Sequence, residues 1–432
     1  MRSAANAVAV VSLLGILASV VLARPSSAPY LWPVHAVAWV ALMLVITRHK
    51  LAQLAKILMV VTVAVVVGWT MATSAGLYTV PISDDVYRYI WDGHVTTSGI
   101  NPYAYPPNSP AVAGLAFSPR ENMVLPTDVK FAHMTTIYPP GGQLLFAAIT
   151  VLGGTTLSGW MLAWQLVLIG LATTMVLVIR RDRRWIALVV LLNPILVIHG
   201  LREPHIDAAM ALISVIAIAL WDRQRPAWSG IALACAIAMK YLAGMALPLM
   251  IVVRRRASVI AVGTALLGVA LLYAPFMGHN VAGNLGTFAA KFRANSFVAE
   301  ALIGAGMKGT TTHSVLLACM AIAACAVLWR YRRAPAYAVA TATMAMLCLS
   351  PVAHPWYFAL PVALCALTAS RAAVAATLFT PLYLVGWHYY TNGGAWKEDA
   401  AVLLAEWLPI AVCVVADVVR PPRWLTSEPP SE

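Results

Sequence analysis

The sequence predicts an all-α protein whose helices cross a membrane many times. Hydrophobic residues make up 61% of its 432 residues, against about 45–50% in a typical soluble domain. Many apolar runs are long enough to cross a hydrocarbon core of about 30 Å, which takes about 20 helical residues. Short basic clusters separate these runs, as in multi-pass membrane proteins. We therefore expect residues 1–432 to form one integral membrane domain.

The order of the apolar runs predicts a bundle of about 11 to 14 transmembrane helices. We expect residues 1–73 to hold the N-terminal helices, 74–140 to form a large first extracytoplasmic loop, 141–420 to complete the bundle, and 421–432 to be a disordered tail. The candidate spans are residues 5–23, 30–47, 56–73, 142–157, 160–179, 185–200, 207–221, 228–253, 258–277, 313–329, 337–350, 356–370, 372–388 and 402–419.

Two segments do not fit a simple crossing pattern. Two apolar runs separate the outer loop from the cluster Arg180–Arg184, although an odd number of crossings is required there. One of these runs must dip into the membrane or lie along its surface. Residues 228–253 form a single apolar run with Lys240 in the middle and both ends predicted inside. We expect a short helical hairpin there, which is allowed only where its irregular backbone is buried in protein.

The positive charge of the chain is distributed in short clusters between the apolar runs. The formal net charge is +13, and two of the clusters are Arg180–Arg184 and Arg254–Arg256. This is the pattern of cytoplasmic loops, which also attract anionic lipid head groups. We therefore expect membrane lipid, and no nucleic acid, as a partner.

Several other classes of chemistry have no support in the sequence. It has no GxSxG motif, no Walker loop and no GxGxxG motif after a strand, so serine hydrolase, ATPase and dinucleotide chemistry are not indicated. The six cysteines lie inside apolar runs and never form CxxC, which favours packing over metal ligation or disulfides. The cysteines therefore give no support to a metal site.

The stretch Pro81–Pro107 concentrates charge and aromatic residues after an apolar run. Asp84, Asp85, Arg88 and Asp92 fall close together, in a chain in which only 10% of residues are charged. A solvated loop is one interpretation, but such a loop has no need of so much Tyr and Trp. We interpret the stretch as the active-site loop of a membrane enzyme.

The adjacent carboxylates Asp84 and Asp85 are the candidate catalytic residues. In extended backbone, neighbouring side chains point opposite ways, so the two do not form one close dyad. A partly desolvated carboxylate near the membrane has its pKa raised towards that of a general base. The alternative is that both residues cap the following helix, since Asp is a good N-cap.

Further polar residues collect on the same predicted side of the membrane. Ionisable groups at membrane depth are costly and usually mark a function, so these residues predict a cavity at the outer boundary. Structural roles are the alternative: starting a helix for the acidic group, snorkelling for the lysine, and an aromatic belt for the last pair. The residues are Arg202, Glu203, His205 and Asp207 in HGLREPHID, then Lys240, then His354 and Tyr357 in SPVAHPWY.

These motifs resemble those of the GT-C superfamily of glycosyltransferases, and most of all bacterial α-(1→6) mannosyltransferases. The resemblance rests on SDDVYRYIWDGHVTTSGINPYAYPP, YPPGGQLLF, HID at a helix start, the lysine in the hairpin, and PWYFALP. The spacing Asp85-x-x-Arg88-Tyr89 is similar to the Asp-Glu-x-Arg-Tyr of lipid-sugar transferases in that superfamily. It makes Asp85 the preferred base and Asp84 the second choice. Tyr89, Asn101 and Tyr103 join the candidate substrate-binding residues.

The resemblance implies a GT-C-like bundle that transfers a sugar, mannose by preference, from a polyprenyl-phosphate donor to a lipid or glycan acceptor. The reaction would take place on the outer face of the bacterial cytoplasmic membrane. Asp85 would accept the proton of the acceptor hydroxyl, and a single base opposite the leaving group implies inversion. Lys240, Arg202, His354 or Tyr357 would stabilise the departing phosphate. The resemblance also implies no metal site and no obligatory cofactor.

The outer loops 101–140 and 278–312 would hold the acceptor and exclude water.

Two other classes of membrane protein remain open from the residues. The first is a transporter or flippase of a lipid-linked or small anionic substrate, in which Lys240, Arg202 and Glu203 would line a permeation path. The second is a structural membrane protein. The long aromatic outer loop with paired aspartates favours the enzyme.

Overall fold

The computed structural model describes residues 8–9, 11–12, 14–16, 28–49, 60, 83–117, 124–251, 255–393 and 398–421. Within these ranges the regular secondary structure is helical, and the one isolated β-bridge joins Ala294 to Val352. The predicted all-α class is confirmed. The α-helices are α1 (Ala28–His49), α2 (Asp85–Thr97), α3 (Pro140–Gly153), α4 (Leu157–Val178), α5 (Arg184–Leu191), α6 (Pro194–Leu196), α7 (Ile206–Asp222), α8 (Pro226–Met239), α9 (Leu247–Ile251), α10 (Arg255–Tyr273), α11 (Leu285–Lys291), α12 (Phe297–Gly304), α13 (Gly309–Arg330), α14 (Pro335–Leu349), α15 (Ala359–Leu364), α16 (Arg371–Phe379), α17 (Tyr383–Gly393) and α18 (Ala400–Val419).

Long apolar helices make the chain a multi-pass membrane protein. In the described part of the chain, four helices are long and apolar enough to cross a bilayer: α4, α13, α18 and the stretch Arg256–Phe276. A fifth candidate joins Arg181–Leu191 to Pro194–Arg202 with a bend of 66°. Apart from residue 60, the predicted span 56–73 lies outside the described residues, as does most of 5–23, so the count of about 11 to 14 spans stays a prediction.

Both irregular segments of the sequence have irregular structures. Helix α3 has 14 residues, fewer than the roughly 20 that a full crossing takes. The run 228–253 breaks at Lys240, whose φ of −157° and ψ of 126° end α8. The chain then turns back through the 3₁₀ helix Tyr241–Ala246, and Met250 Sδ lies 4.0 Å from the hydroxyl of Ser229. The predicted hairpin is therefore present.

The break in the bent span has a local cause. Pro194 has no N–H to donate and cannot continue the preceding helix. Asn193 compensates, because its side chain accepts a hydrogen bond from the N–H of Ile195 and donates one to Thr377 Oγ1 at 2.9 Å. A π-helical turn follows over Val197–Arg202, a form often found at functional sites.

Helix α7 is the centre of the bundle. Every residue from Ile206 to Ala219 is buried, as expected for a helix that is hydrophobic on all sides. Helices α4, α8 and α15 pack around it. The start of α7 therefore has a fixed position, and His205 occupies the residue before it.

Helix α2 carries the paired aspartates at its start and packs against α3. The ring of Tyr89 stacks on Phe146 with centroids 4.4 Å apart. Gly93 allows this approach, because a Cβ at that position would lie 2.3 Å from Thr150 Oγ1 and 2.6 Å from the carbonyl oxygen of Phe146. The missing side chain of Gly93 thus helps to set where Asp85 lies.

We expect Gly93→Ala to lower the free energy of unfolding by about 1–3 kcal/mol, the range for overpacking a close contact. Thermal unfolding of the purified protein in detergent measures this. Gly114→Ala is the matched control, because a Cβ there meets no atom within 4 Å. Equal unfolding temperatures for the two variants would contradict the close α2–α3 packing.

Candidate active site

A cavity of about 370 Å³ lies at the start of α2. Its wall combines carboxylates, cations, imidazoles and aromatic rings from both predicted outer loops and from the ends of several helices. The acidic, basic and histidine residues of the wall are Asp84, Asp85, Arg88, Lys130, His199, Arg293 and His354, and the large aromatic ones are Phe131, Tyr138, Phe288, Phe292, Trp356, Tyr383 and Trp387.

Asp85 is the first residue of α2 and faces a buried histidine. Its Oδ2 lies 3.5 Å from Nδ1 of His205, and the Asp85 side chain is 37% exposed whereas that of His205 is 0% exposed. The His205 ring stacks on Trp356 with centroids 3.9 Å apart and planes 9° apart. The partly exposed carboxylate of Asp85 is thus held by the imidazole ring of His205, whose position is fixed by packing in the bundle.

The surroundings of Asp85 lower its pKa. Burial raises the pKa of this carboxyl, but the contact with His205 and the charges of His205, His354 and Lys240 together lower it further than burial raises it. The expected upward shift of the pKa is therefore wrong for Asp85. The physical reason is that the desolvated carboxylate has positive partners, which favour the ionised form.

Asp84 faces a different partner. It occupies the N-cap position of α2, but its side chain makes no capping hydrogen bond. Its Oδ2 lies 3.6 Å from Nζ of Lys130, and both side chains are well exposed. The two adjacent carboxylates have separate partners, which agrees with the expectation that they form no dyad.

Arg88 is on the cavity wall and is anchored from behind. Its Nε donates to Asp92 Oδ1 at 2.8 Å, and one Nη donates to the carbonyl of Met134 at 2.9 Å. Asp92 is buried and also accepts from Gln143. The second Nη of Arg88 has no hydrogen-bond partner among the described residues. Asp92 and Tyr89 support α2 and do not belong to the wall of the cavity.

Asn101 and Tyr103 lie away from the cavity wall and brace the loop. The side-chain amide of Asn101 donates to the carbonyl of Phe276 at 3.3 Å. The hydroxyl of Tyr103 donates to the carbonyl of Tyr138 at 2.6 Å. These bonds fix the loop to the end of α10 and to the segment that enters α3. A contact of either residue with substrate stays a prediction.

The remaining polar residues form a layer behind the wall. The N–H of Ser83 donates to Glu203 Oε2 at 3.4 Å, and Arg202 lies 3.9 Å from the same carboxylate. Lys240 is paired with the buried Asp207 and lies 4.1 Å from the centroid of the Tyr357 ring. The chain thus supplies an anion for Lys240, for which the sequence analysis expected a phosphate.

His354 does belong to the wall. Its Nδ1 is 3.0 Å from the hydroxyl of Tyr383, and its ring stacks on the face of Trp356 at 4.6 Å. The pKa of His354 is lowered to about 4, mainly by burial. The charge of Asp85 raises this pKa, but by less than burial lowers it. The imidazole is therefore neutral at pH 7 and offers one N–H donor.

Three further wall residues, Lys130, His199 and Arg293, were not predicted from the sequence. His199 is 3% exposed, and its Nε2 has no hydrogen-bond partner in the part of the chain that the structure describes. His199 is the first residue of the motif HGLREPHID, which contains four other candidate residues. This position in the motif was the signal that could have identified it. Lys130 and Arg293 have no motif, and only the folding of the two outer loops brings them to the cavity.

Among the described residues there is no group of three or more His, Cys, Asp or Glu side chains that could hold a metal ion. The prediction that the reaction needs no metal or other cofactor stays a prediction.

Comparison with known proteins identifies the family of this membrane protein. The chain belongs to the α-(1→6)-mannopyranosyltransferase family, whose N-terminal domain matches residues 31–256. The predicted GT-C hexosyltransferase is confirmed.

One curated relative in Mycolicibacterium smegmatis is 27% identical over 350 residues, which cover 67% of this chain and 77% of the relative. It is a polyprenol-phosphate-mannose-dependent α-(1-2)-phosphatidylinositol mannoside mannosyltransferase. No solved structure matches the chain.

The pairing of Lys240 with Asp207 gives a testable consequence. Lys240→Met leaves a carboxylate that is 3% exposed without its cation, and we expect a loss of about 3–5 kcal/mol in the free energy of unfolding. The double variant Lys240→Met/Asp207→Asn should recover at least about 0.5 kcal/mol, because the uncompensated charge is gone. Unfolding in detergent measures both variants.

Lys130→Met is the control, because it breaks a pair whose side chains are 40% and 45% exposed, and such pairs contribute only about 0–1 kcal/mol. A Lys240→Met variant as stable as Lys130→Met would show that Asp207 does not depend on the ammonium group.

Proposed function

We propose that the protein transfers a mannosyl group from a polyprenyl-phosphate donor to a lipid or glycan acceptor, with Asp85 as the general base. The observation that carries the proposal is the position of Asp85. It lies on the cavity wall, partly exposed, and is held by the buried His205. The family and the polyprenol-phosphate-mannose dependence of the relative support the choice of donor and sugar.

The donor phosphate has suitable partners on the wall. Arg88 offers a buried Nη that no described residue occupies, and guanidinium groups bind phosphate oxygens well. His354 is neutral and donates a hydrogen bond without adding charge. Lys130 and Arg293 add positive charge to the same wall. These groups replace Lys240, Arg202 and Tyr357 as the proposed stabilisers of the leaving phosphate.

Aromatic rings from the second outer loop close the cavity on one side. Phe288 and Phe292 stack with centroids 4.6 Å apart, and Phe292 meets Phe131 edge-on at 5.1 Å. This apolar wall would exclude water from the reacting carbon, so that transfer to the acceptor competes well with hydrolysis. Residues from both 101–140 and 278–312 lie on the cavity wall, which supports the proposal that these loops hold the acceptor and exclude water.

The proposed reaction is a single displacement. The acceptor hydroxyl oxygen forms a bond to the anomeric carbon as the bond from that carbon to the phosphate oxygen breaks. Polyprenyl phosphate leaves with the electron pair, and the hydroxyl proton moves to the carboxylate of Asp85. Attack opposite the leaving group inverts the configuration, and the anomeric carbon has oxocarbenium-like character.

We place the cavity on the extracytoplasmic side of the cytoplasmic membrane. The bent span begins at Arg181 and ends at Arg202, beside the active-site cavity. Its basic end, the cluster Arg180–Arg184, would therefore face the cytoplasm, according to the positive-inside rule. A labelling experiment on single cysteines in the outer loop tests this orientation.

We expect Asp85→Asn to lower kcat at least ~100-fold, because the variant cannot accept the proton. The assay uses purified protein in nanodiscs, radiolabelled polyprenyl-phosphate mannose and a phosphatidylinositol mannoside or glycolipid extract as acceptor. Asp84→Asn is the matched control and should keep most of the activity, because Asp84 is paired with the exposed Lys130 and not with the buried His205.

Both variants must unfold at the temperature of the wild type for the comparison to hold. Full activity in both would reject Asp85 as the base and leave the transferase in place. Loss in Asp84→Asn alone would reverse the assignment of the two carboxylates.

The dependence of kcat/KM on pH tests the role of His205. The lowered pKa keeps Asp85 ionised, and therefore able to accept a proton, until the pH falls into the acid range. His205→Phe keeps a flat ring on Trp356 but removes the contact with the carboxylate. The pKa of Asp85 should then rise, so the acid limb of the pH profile should move to higher pH. An unchanged acid limb would exclude either Asp85 as the titrating base or His205 as its partner.

A further inference from the structure

A second cavity lies at the opposite end of the bundle from the active site. It encloses about 650 Å³, and its wall includes Arg183, Thr368 and Arg371. Three elements run between the two cavities. The bent span begins at the second cavity and ends at Arg202, near the active site. Helix α15 follows Trp356 of the active site and leads to the second cavity. Helix α16 begins at the second cavity and leads back towards Tyr383 of the active site.

Two arginines are fixed on the wall of this cavity. Arg183 donates from one Nη to the carbonyl of Leu367 at 2.5 Å. Arg371 donates to Asp417 Oδ1 at 3.1 Å and to the carbonyl of Arg420 at 2.8 Å. A guanidinium group presents five N–H donors in a planar fork, a geometry that suits the oxygens of an anion. Both side chains are therefore oriented before any ligand binds.

The turn that contributes Arg183 to the cavity wall is positively charged. The five residues of Arg180–Arg184 include four arginines and one acid, Asp182. Asp182 is on the cavity wall, but its carboxylate lies 3.3 Å from Nε of the exposed Arg180. The other nearby acid, Asp417, is 0% exposed and occupied by Arg371 and Ser370. Both of these carboxylates are thus paired with arginines.

A buried hydroxyl on the same wall lacks a partner. Thr368 is 6% exposed, and its Oγ1 has no hydrogen-bond partner within the described residues. A buried polar group without a hydrogen bond is disfavoured, so it usually marks the site of a ligand or a water. The neighbouring Ser370 differs, because it donates to Asp417 at 2.9 Å and accepts from the N–H of Ala373.

We propose that this cavity binds a phosphate group between Arg183, Arg371 and Thr368. Planar guanidinium groups match the oxygens of phosphate, and the threonine hydroxyl adds a further donor. Anionic phospholipid headgroups and free phosphate share this chemistry. The apolar part of the wall, with Trp39 and Val374, would contact the glycerol and first acyl carbons of a lipid. Basic pockets between membrane helices are known to hold lipid head groups. This proposal is independent of the transfer reaction.

The test measures the unfolding temperature of the full-length protein in nanodiscs. One series replaces phosphatidylcholine stepwise by phosphatidylglycerol, and a second adds inorganic phosphate to pure phosphatidylcholine discs. A ligand that binds only the folded state raises the unfolding temperature. We expect a rise in at least one series, and native mass spectrometry then shows whether the retained phosphate belongs to lipid or is free.

Three variants decide whether the rise comes from this cavity. Arg183→Gln should lose more than half of the rise. Thr368→Val should also reduce it, while in pure phosphatidylcholine without phosphate it should unfold no earlier than the wild type. Arg181→Gln is the matched control, because it removes the same charge from an exposed residue of the same turn that does not belong to the cavity wall.

Arg371→Gln is left aside, because it would leave Asp417 buried without its cation. Equal losses in Arg181→Gln and Arg183→Gln would show a diffuse attraction to the membrane and overturn the proposal. The absence of any rise in the wild type, in both series, would overturn it as well.

Discussion

The contact between Asp85 and His205 joins the outer loop to the centre of the bundle. His205 comes immediately before α7, the most completely buried helix, and its ring is held on Trp356. Trp356 in turn lies between the rings of His205 and His354. A carboxylate at the membrane boundary would otherwise be free to move with its loop. Here its position and its charge are set by residues that cannot move without disturbing the core.

Breaks in helices provide the polar groups around this contact. The span from Arg181 breaks at Pro194, α8 ends at Lys240, and α14 ends at Ser350, before the segment that holds His354. Irregular backbone at membrane depth is tolerated only where protein surrounds it or where it lines a cavity. The helix breaks therefore lie close to one another around the cavity. The side chains next to the breaks either face the cavity or pair with each other behind its wall.

Pairing behind the wall explains why several ionisable residues do not reach the cavity. Asp92 anchors Arg88 at 2.8 Å, and Asp207 is occupied by Lys240. A charge buried in protein needs an opposite charge or hydrogen bonds close by. The acidic and basic candidate residues are thus of two kinds. Some face the cavity and can act on a ligand, and the others hold the first kind in position.

Sequence patterns were sufficient for the fold class and for the general location of the site. Apolar length predicted the membrane helices, because the width of the bilayer fixes the length of a span. The concentration of acids in Pro81–Pro107 predicted the loop that holds Asp85. The hairpin at Lys240 also followed from sequence, since a single cation inside a long apolar run is costly unless the helix breaks.

Pairing across the bundle was beyond the reach of sequence. Whether Lys240 faces a phosphate or Asp207 depends on the packing of α7 against α8, and residues 33 positions apart have no pattern that predicts their contact. The direction of the Asp85 pKa likewise depends on His205, which only the tertiary structure brings to 3.5 Å. The sequence by itself determined the membrane helices and the polar residues at their ends. The tertiary structure decided which of those residues meet, because side-chain partners are set by long-range packing and not by local spacing.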